Sequence, residues 1–600
     1  MDEEGTTRTS RGLELSWREV SFDVPNSRTE MQRLRTENRE KQIEGKPPTH
    51  KNVLDSVSGH LAPESFTAIM GASGSGKTTL LNFLSNRRFY LRKVKCSGEV
   101  YLNGRSRSEL NFNTYVAYVM QDDVLIETMT VREILTFAAK MRLKPDIGMK
   151  KMMEIVEQLE LTKILDSRVG GILSRGISGG ERKRVAIAME ILTDPLVLFL
   201  DEPTTGLDSY NAENVISVCK KLSELGKIVC CTIHQPNSFI FSLFQNIILL
   251  ADHKIVYNGP HDQVVPYFAS KGHPCGQYTN PAEHVITVLS NDKNTELFPP
   301  IHDTGVLEIR SLPEGITESH RNFCAQLGLL IGRSFKNFVR NRLLLKFLLS
   351  AKLLFIFIFL SAFWQNASGH SARSVLDRGG FLAFFLASSS FDAVGSVGGY
   401  YDEKGQYVRE QANRAYTPLA YYLSKMLSEV PLDLAILAVF EAIVYAGIGL
   451  SFENPEQIFI FILVCLLMFV NGKGWCFMFL FAFDSLAISA SITPFISILQ
   501  FLFAGFFINY ANIPYYLYEF LYISIYKYTW SAVMINEFDT FDMEACKLEN
   551  PTMQSQCDAV GFYNLELSLW GNIGVAVGQT LVVHALAFYV LAKASKAFRS

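Results

Sequence analysis

The sequence predicts an α/β domain over residues 1–290 followed by an all-α, six-span transmembrane domain over residues 343–600. Three observations predict it. Residues 1–340 are rich in charge, whereas 343–597 hold long runs of Phe, Leu, Ile, Val and Ala. Short apolar runs at Phe66–Met70, Val197–Leu200 and Lys227–Thr232 alternate with helical patterns, as parallel strands covered on both faces do. Six later stretches reach the ~20 apolar residues that a bilayer crossing needs.

Composition bounds the reading. With 48% hydrophobic and 19% charged residues, the chain is too apolar for an ordinary soluble enzyme and too charged to lie wholly in a membrane. A net charge of −3, with no basic tract interleaved with aromatics, excludes a nucleic-acid partner. Ten cysteines show neither a CxxC pair nor zinc spacing. The acidic, polar start MDEEGTTRTSRG is unlike a signal peptide, which places the N-terminus in the cytosol.

Along the chain, Leu13–Val24 reads as an edge strand and Asn26–Lys51 as a charged, solvated insert. The α/β domain ends near residue 290, and residues 291–320 read as a linker. Residues 321–342 have helical apolar spacing with Arg333, Lys336, Arg340 and Arg342, an amphipathic helix for the inner membrane surface. The spans are placed at 344–364, 379–399, 432–450, 457–483, 486–509 and 567–591. An even number of spans puts both termini on one side. The basic segments 333–346, 404–425 and 593–599 then all face the cytosol, as the positive-inside rule requires.

The chemistry lies in the first domain. Gly71-Ala-Ser73-Gly74-Ser75-Gly76-Lys77-Thr78 satisfies GxxxxGK[ST] between a buried strand and a helix, and Thr79 follows. Glycines let backbone N–H groups wrap phosphates, Lys77 reaches the β/γ oxygens, and Thr78 serves Mg²⁺. The first domain is therefore an α/β P-loop NTPase. Val197–Leu200 ends in Asp201 and Glu202, the first suited to bind the metal and the second to polarise the attacking water. Ser178, Gly179 and Gly180 open a helix, where N–H groups and the helix dipole favour an anion.

Taken with the two phosphate motifs, Ile177-Ser-Gly-Gly-Glu-Arg-Lys-Arg184 resembles the signature of the ATP-binding cassette superfamily. The resemblance implies that one subunit's signature closes over ATP held by another, so that the chain works as a dimer. It also implies that Gln121 senses Mg²⁺, that His234 contacts the γ-phosphate, and that Asp208 belongs to the loop after the catalytic carboxylate. Phe22 is a candidate to stack on adenine. ATP and Mg²⁺ are the ligands implied.

The order of domains, ATPase first and spans second, resembles the G subfamily of half-size transporters over nearly the whole chain. Residues 179–184, 204–209, 232–236 and 280–283 carry the likeness in the first domain. Arg409 to Tyr422, Gly505–Asn509, Ile513-Pro514 and Asn536–Phe538 carry it in the second. Glu283 departs from the Asp usual there. By the same resemblance Ser388 and Phe391 fall on cavity positions of the second span, and Phe495 and Ile498 on cavity positions of the fifth. Phe506 and Phe507 fall on an apolar plug. Cys546 and Cys557 fall on a loop that the family often crosslinks, which implies an intrachain Cys546–Cys557 bond, with a bond across the dimer axis or two free thiols as the alternatives.

Two intramembrane charges stand apart. Glu441 in the third span and Lys473 in the fourth differ by roughly 10 Å in depth at about 1.5 Å per residue, which disfavours their pairing. Glu441 is better read as part of an interspan polar network. The leading function is export of an amphipathic or hydrophobic small molecule or lipid by a homodimer or heterodimer. The alternatives are transport of polar aromatic metabolites, such as purines or pigment precursors, and a membrane-tethered regulatory ATPase. The membrane, plasma or organelle, stays open.

Overall fold

A computed structural model describes residues 13–599 apart from 27–48, 88–93, 172–173, 292–320, 366, 368–371, 452–453, 509, 550–553 and 566. Most of the charged insert and of the linker, together with Asn509, lie outside the described residues. The chain forms two compact units: 1–321 with 412–415 and 597–600, and 322–411 with 416–596.

The first unit holds two sheets. Strands β1 (Leu15–Pro25), β2 (His50–Leu61), β4 (Lys95–Leu102) and β5 (Arg105–Ser106) make an antiparallel sheet in the order β2-β1-β4-β5. The second sheet has the order β10-β9-β3-β8-β7-β6. Its members are β3 (Phe66–Gly71), β6 (Val116–Val119), β7 (Val197–Leu200), β8 (Ile228–Thr232), β9 (Asn246–Ala251) and β10 (Lys254–Pro260). Every residue of β3, β7 and β8 is buried, the burial expected of central parallel strands, which take up side chains on both faces.

Pairing of β3 with β8 and β9, of β8 with β7 and of β7 with β6 is parallel; β10 alone runs antiparallel. Parallel pairing brings the carboxyl ends of β3, β6, β7 and β8 to one edge of the sheet. Ligands of open α/β sheets bind outside that edge. Helices α1 (Lys77–Leu84) and α3 (Ser209–Glu224) start within ten residues of it, after β3 and β7, whereas α2 (Gly179–Ile191) precedes β7 in the chain.

The second unit is helical. It comprises α4 (Phe323–Arg340), α5 (Arg342–Phe363), α6 (Ala372–Asp392), α7 (Val397–Ala412), α8 (Pro418–Ile448), α9 (Pro455–Ala482), α10 (Leu486–Leu502), α11 (Ile525–Phe538) and α12 (Leu569–Arg599). Among the described residues, five helical runs are long and apolar enough to cross a membrane, and α10 is a shorter apolar helix.

Several boundaries differ from the sequence expectation. The second span begins at Ala372 rather than 379, and a 3₁₀ turn carries it on into α7 as far as Ala412. Its polar first turns are tolerated because Arg378 is buried against Glu537 at 3.0 Å and donates to the Ala367 carbonyl at 2.9 Å. The third begins at Pro418, not 432: Thr417 caps it, Pro418 opens it, and buried Lys425 pairs with Glu429 at 2.9 Å. The sixth helix runs on from Leu569 to Arg599.

The fifth departs most. The expected 24-residue span (486–509) is a 17-residue helix that stops at Leu502, roughly 25 Å long at 1.5 Å per residue. Gly505 then takes a φ of 96°, and a Cβ there would lie 2.4 Å from the Tyr510 ring. Phe506 and Phe507 therefore sit in a turn beyond the helix, not on its last turn.

Arg333 is a second correction. Expected on an exposed basic face, it is buried on the side of α4 that carries Gln326, Leu330, Ser334 and Phe338. There it donates to both Glu410 oxygens, at 2.5 and 3.0 Å. A guanidinium so buried is held by its bidentate partner.

Candidate functional site

The site is assembled from strand ends. After Gly71 the chain turns through Gly74 and Gly76, whose φ values of 81° and 98° lie in the left-handed region that glycine tolerates. A Cβ on Gly76 would come within 2.8 Å of the Val53 carbonyl and the Leu54 side chain. Lys77 opens α1 and its buried ammonium folds back onto the Gly71 and Ala72 carbonyls, 2.9 Å from each. Burial lowers its pKa from the usual lysine value, against the opposing pull of Glu202 and Asp201. Ser73 and Thr78 are exposed and Thr79 is half-buried.

Asp201, just beyond β7, is gripped from three elements. Thr78 Oγ1 donates to its Oδ1 at 3.0 Å, Thr232 Oγ1 donates to the same oxygen at 2.7 Å, and Tyr118 OH donates to Oδ2 at 3.1 Å. Burial, with Asp201 beside it, pushes the Tyr118 phenol well above its ordinary pKa, so it stays a donor. Glu202 has a φ of 43°, a left-handed value that a non-glycine residue adopts at a cost. Its backbone N–H donates to Thr232 Oγ1 at 2.8 Å. Gln121 Nε2 and Thr205 Oγ1 each donate to Glu202 Oε2 at 2.9 Å. The structure thus brings Thr78, Gln121, Asp201 and Glu202 into one cluster.

The residues singled out in α2 and α3 meet each other instead. Ser178 caps α2 through a reciprocal pair with Glu181, at 3.3 and 2.8 Å. Asp208 caps α3, accepting from Asn211 N and Nδ2 at 2.9 and 2.7 Å, bonds that hold its carboxyl below the usual range. A Cβ on Gly180 would lie 2.7 Å from Asn211 Oδ1 and one on Gly179 2.9 Å from Leu207, so both glycines admit close packing. Ser178 and Gly179 remain exposed, as does His234 after β8. Phe22 is half-buried on β1, opposite Leu54 and Cys96.

Three contributors escaped the sequence reading: Tyr118, Thr232 and Lys183. Lys183 is buried on α2 and its ammonium reaches the Gln121 carbonyl at 2.7 Å and the Asp123 carboxylate at 2.8 Å. It shares a helix face with Gly180 and Ile187, the one periodic signal that could have marked it. Thr232 closes an apolar strand, where a lone hydroxyl is itself a signal.

The cluster fits a metal–nucleotide complex. Thr78 and Asp201 present hard oxygens side by side, the donor type that Mg²⁺ takes. Ser75 Oγ, inside the glycine loop, is buried and has no hydrogen-bond partner. A phosphate oxygen would satisfy it.

In the second unit the six substrate candidates are dispersed. Ser388 donates to the Phe385 carbonyl of its own helix at 2.8 Å, and Phe391 is half-buried against the helical core. Phe495 and Ile498 are exposed on α10, on one side with Ile488 and Leu502. Phe506 is half-buried, 6.4 Å from Trp530, whereas Phe507 is 57% exposed. Glu441 accepts from Ser389 at 3.3 Å. Lys473 pairs with Asp433 at 2.8 Å and donates to Tyr400 at 3.2 Å; Asp433 lies about two turns from Glu441 on the same helix.

Residues 54–205 match the family described as ABC transporter, and residues 234–298 and 325–538 match two families each described as ABC-2 type transporter. The chain is 30% identical over 586 residues to the mouse broad substrate specificity ATP-binding cassette transporter ABCG2, covering 87% of this chain and 86% of the relative. It is 31% identical to Drosophila melanogaster protein white (87% and 79% covered) and 31% identical to Arabidopsis thaliana ABC transporter G family member 6 (81% and 72%). The chain belongs to the G family of ATP-binding cassette transporters. Membership of the family makes it an integral membrane protein that couples ATP hydrolysis to transmembrane transport.

Proposed function

We propose that this chain is a half-transporter whose ATPase site is completed by a second copy or a related half-transporter. The observation that carries the reading is the division of the site residues into two groups. Thr78, Gln121, Asp201 and Glu202 gather in one hydrogen-bonded cluster, while Ser178, Gly179 and Asp208 lie exposed at a separate corner, with Gly180 buried beside them. The start of a helix, where the dipole favours an anion, is suited to close over a phosphate held elsewhere.

In this reading the backbone of residues 71–79 cradles the phosphates, and Lys77 turns from the Gly71 and Ala72 carbonyls to the β/γ oxygens. Mg²⁺, when held by Thr78 and Asp201 with Gln121 beside it, would offset the phosphate charge. Glu202, fixed at Oε2 by Gln121 and Thr205, keeps Oε1 to accept the proton of the attacking water. His234 contributes the γ-phosphate contact from the end of β8.

We propose an amphipathic or hydrophobic compound or lipid as substrate, exported by the dimer. Support comes from α10, whose exposed Ile488, Phe495, Ile498 and Leu502 give an apolar face, with Ser388 and Phe391 on α6. Both termini are proposed to face the cytosol.

Inside-out vesicles containing the purified chain test the reading. ATP-dependent uptake from a diverse compound panel should favour apolar and amphipathic members and vanish in Glu202→Gln. ATP hydrolysis with no uptake from any class would overturn transport of such compounds. A 1:1 mixture of active and Glu202→Gln chains tests the dimer, and an activity strictly proportional to the active chain alone would overturn the shared site.

A further inference from the structure

Strand β6 is the edge of the six-stranded sheet, yet it fastens both catalytic carboxylates. Asp201 N donates to the Val119 carbonyl at 3.0 Å, Tyr118 OH donates to Asp201 Oδ2 at 3.1 Å, and Gln121 Nε2 donates to Glu202 Oε2 at 2.9 Å. The register explains the reach. Tyr118 lies opposite Phe199 and Val119 opposite Leu200, so the phenol extends past the end of β7 to the residue that follows it.

The phenol is itself fixed. Tyr118 is buried, and the Arg87 guanidinium lies 4.5 Å from the centroid of its ring. Thr78 and Thr232 both donate to Oδ1, which limits how far the carboxylate turns about its Cβ–Cγ bond but leaves Oδ2 to be held from another side. Tyr118 alone among the described residues donates to Oδ2, and a donor there sets the plane.

We propose that Tyr118 is a positioning residue for the metal site, its hydroxyl holding the Asp201 carboxylate so that Oδ1 stays turned to Thr78. This rests on the reading of Asp201 and Thr78 as the Mg²⁺ ligands. Tyr118 touches neither nucleotide nor metal in this role. It acts through Asp201.

The test measures metal–nucleotide linkage without turnover. Full-length chain carrying Glu202→Gln is placed in lipid nanodiscs, and the Kd of a trinitrophenyl-ATP probe is measured with Mg²⁺ and with EDTA. The ratio of the two Kd values is the coupling between metal and nucleotide. Tyr118→Phe, which keeps the ring and the Arg87 contact, should shrink that ratio by about fivefold, the scale of one hydrogen bond. Its Kd in EDTA should match the parent. An unchanged ratio overturns the proposal, and so does an equal weakening in EDTA, which would make Tyr118 a support of the whole pocket. Asp201→Asn in the same background separates the two ideas. A ratio that survives Asp201→Asn removes the metal-ligand reading itself, whereas a collapsed ratio there with a normal one in Tyr118→Phe removes only the positioning role.

Discussion

Gln121 Nε2 lies 2.9 Å from Glu202 Oε2, so the residue that resembles the family's metal sensor is bonded to the residue that resembles its general base. The two follow neighbouring parallel strands, β6 and β7, by two residues each, and meet because both strands end at one edge of the sheet. Thr205 occupies the same oxygen. One carboxylate oxygen is thereby committed to orientation and the other is left for chemistry.

Glu202→Gln should lower the ATPase kcat by about 10²–10⁴, the usual contribution of a positioned general base. The glycine loop, Lys77 and Thr78 are untouched, so nucleotide affinity should stay near the parent value. Steady-state phosphate release and probe binding on the same preparation check both halves. Turnover within threefold of the parent would place the base on another residue.

Lys183→Met should act through stability and through Gln121 together. The ammonium has 2% side-chain exposure and is matched by Asp123, and removing one partner of a buried pair costs about 3–5 kcal/mol. Thermal unfolding of the first unit should shift down by several degrees. Mg²⁺-dependent ATPase should fall further than the lost folded fraction explains, because the Gln121 carbonyl loses its anchor. A variant as stable and as active as the parent would show the ammonium to be incidental.

Much of the first unit was legible because its motifs answer backbone demands. Gly74 and Gly76 need left-handed φ, and Asp201 and Glu202 must follow a strand that is buried throughout. Tyr118 and Lys183 were not legible. Their partners lie 83 and 62 residues away, and only the sheet order and the packing of α2 bring them together. The apolar runs read from hydropathy coincide with long helices but not with their ends, since buried pairs such as Arg378–Glu537 and Lys425–Glu429 let helices continue through polar turns. The break after α10 was hidden for the opposite reason: residues 503–508 are apolar, and only the conformation at Gly505 ends the helix.

The Cys546–Cys557 pair is bonded, with Cα atoms 5.8 Å apart. Both sulfurs are buried among the residues of the helical core. A disulfide closing a loop of this length stabilises by about 2–4 kcal/mol in the chain-entropy view. Cys546→Ser/Cys557→Ser should therefore lower the thermal midpoint of the second unit while leaving nucleotide binding intact. Non-reducing electrophoresis of the parent should show no linkage between chains. A covalent dimer, or alkylation of both thiols in the native protein, would overturn the intrachain bond.

The two phenylalanines after Gly505 should behave differently. Phe506 is wedged beside Gly380, whose missing Cβ would sit 3.3 Å from its ring, and packs against Trp530. Phe507 touches Phe501 and Phe506 at centroid distances of 5.1 and 5.2 Å but leaves 57% of itself exposed. Phe506→Ala should mainly destabilise, by about 3 kcal/mol or more if the cavity does not collapse. Phe507→Ala removes little packing within the chain, so its stability cost should stay within about 1 kcal/mol. If Phe507 meets its counterpart in a second subunit and seals the pathway, its truncation should raise basal ATPase or lower the substrate moved per ATP. Thermal scans and coupled flux in vesicles separate the two. Unchanged coupling in Phe507→Ala, with unchanged stability, would assign that ring to lipid and send the search for the seal to other residues.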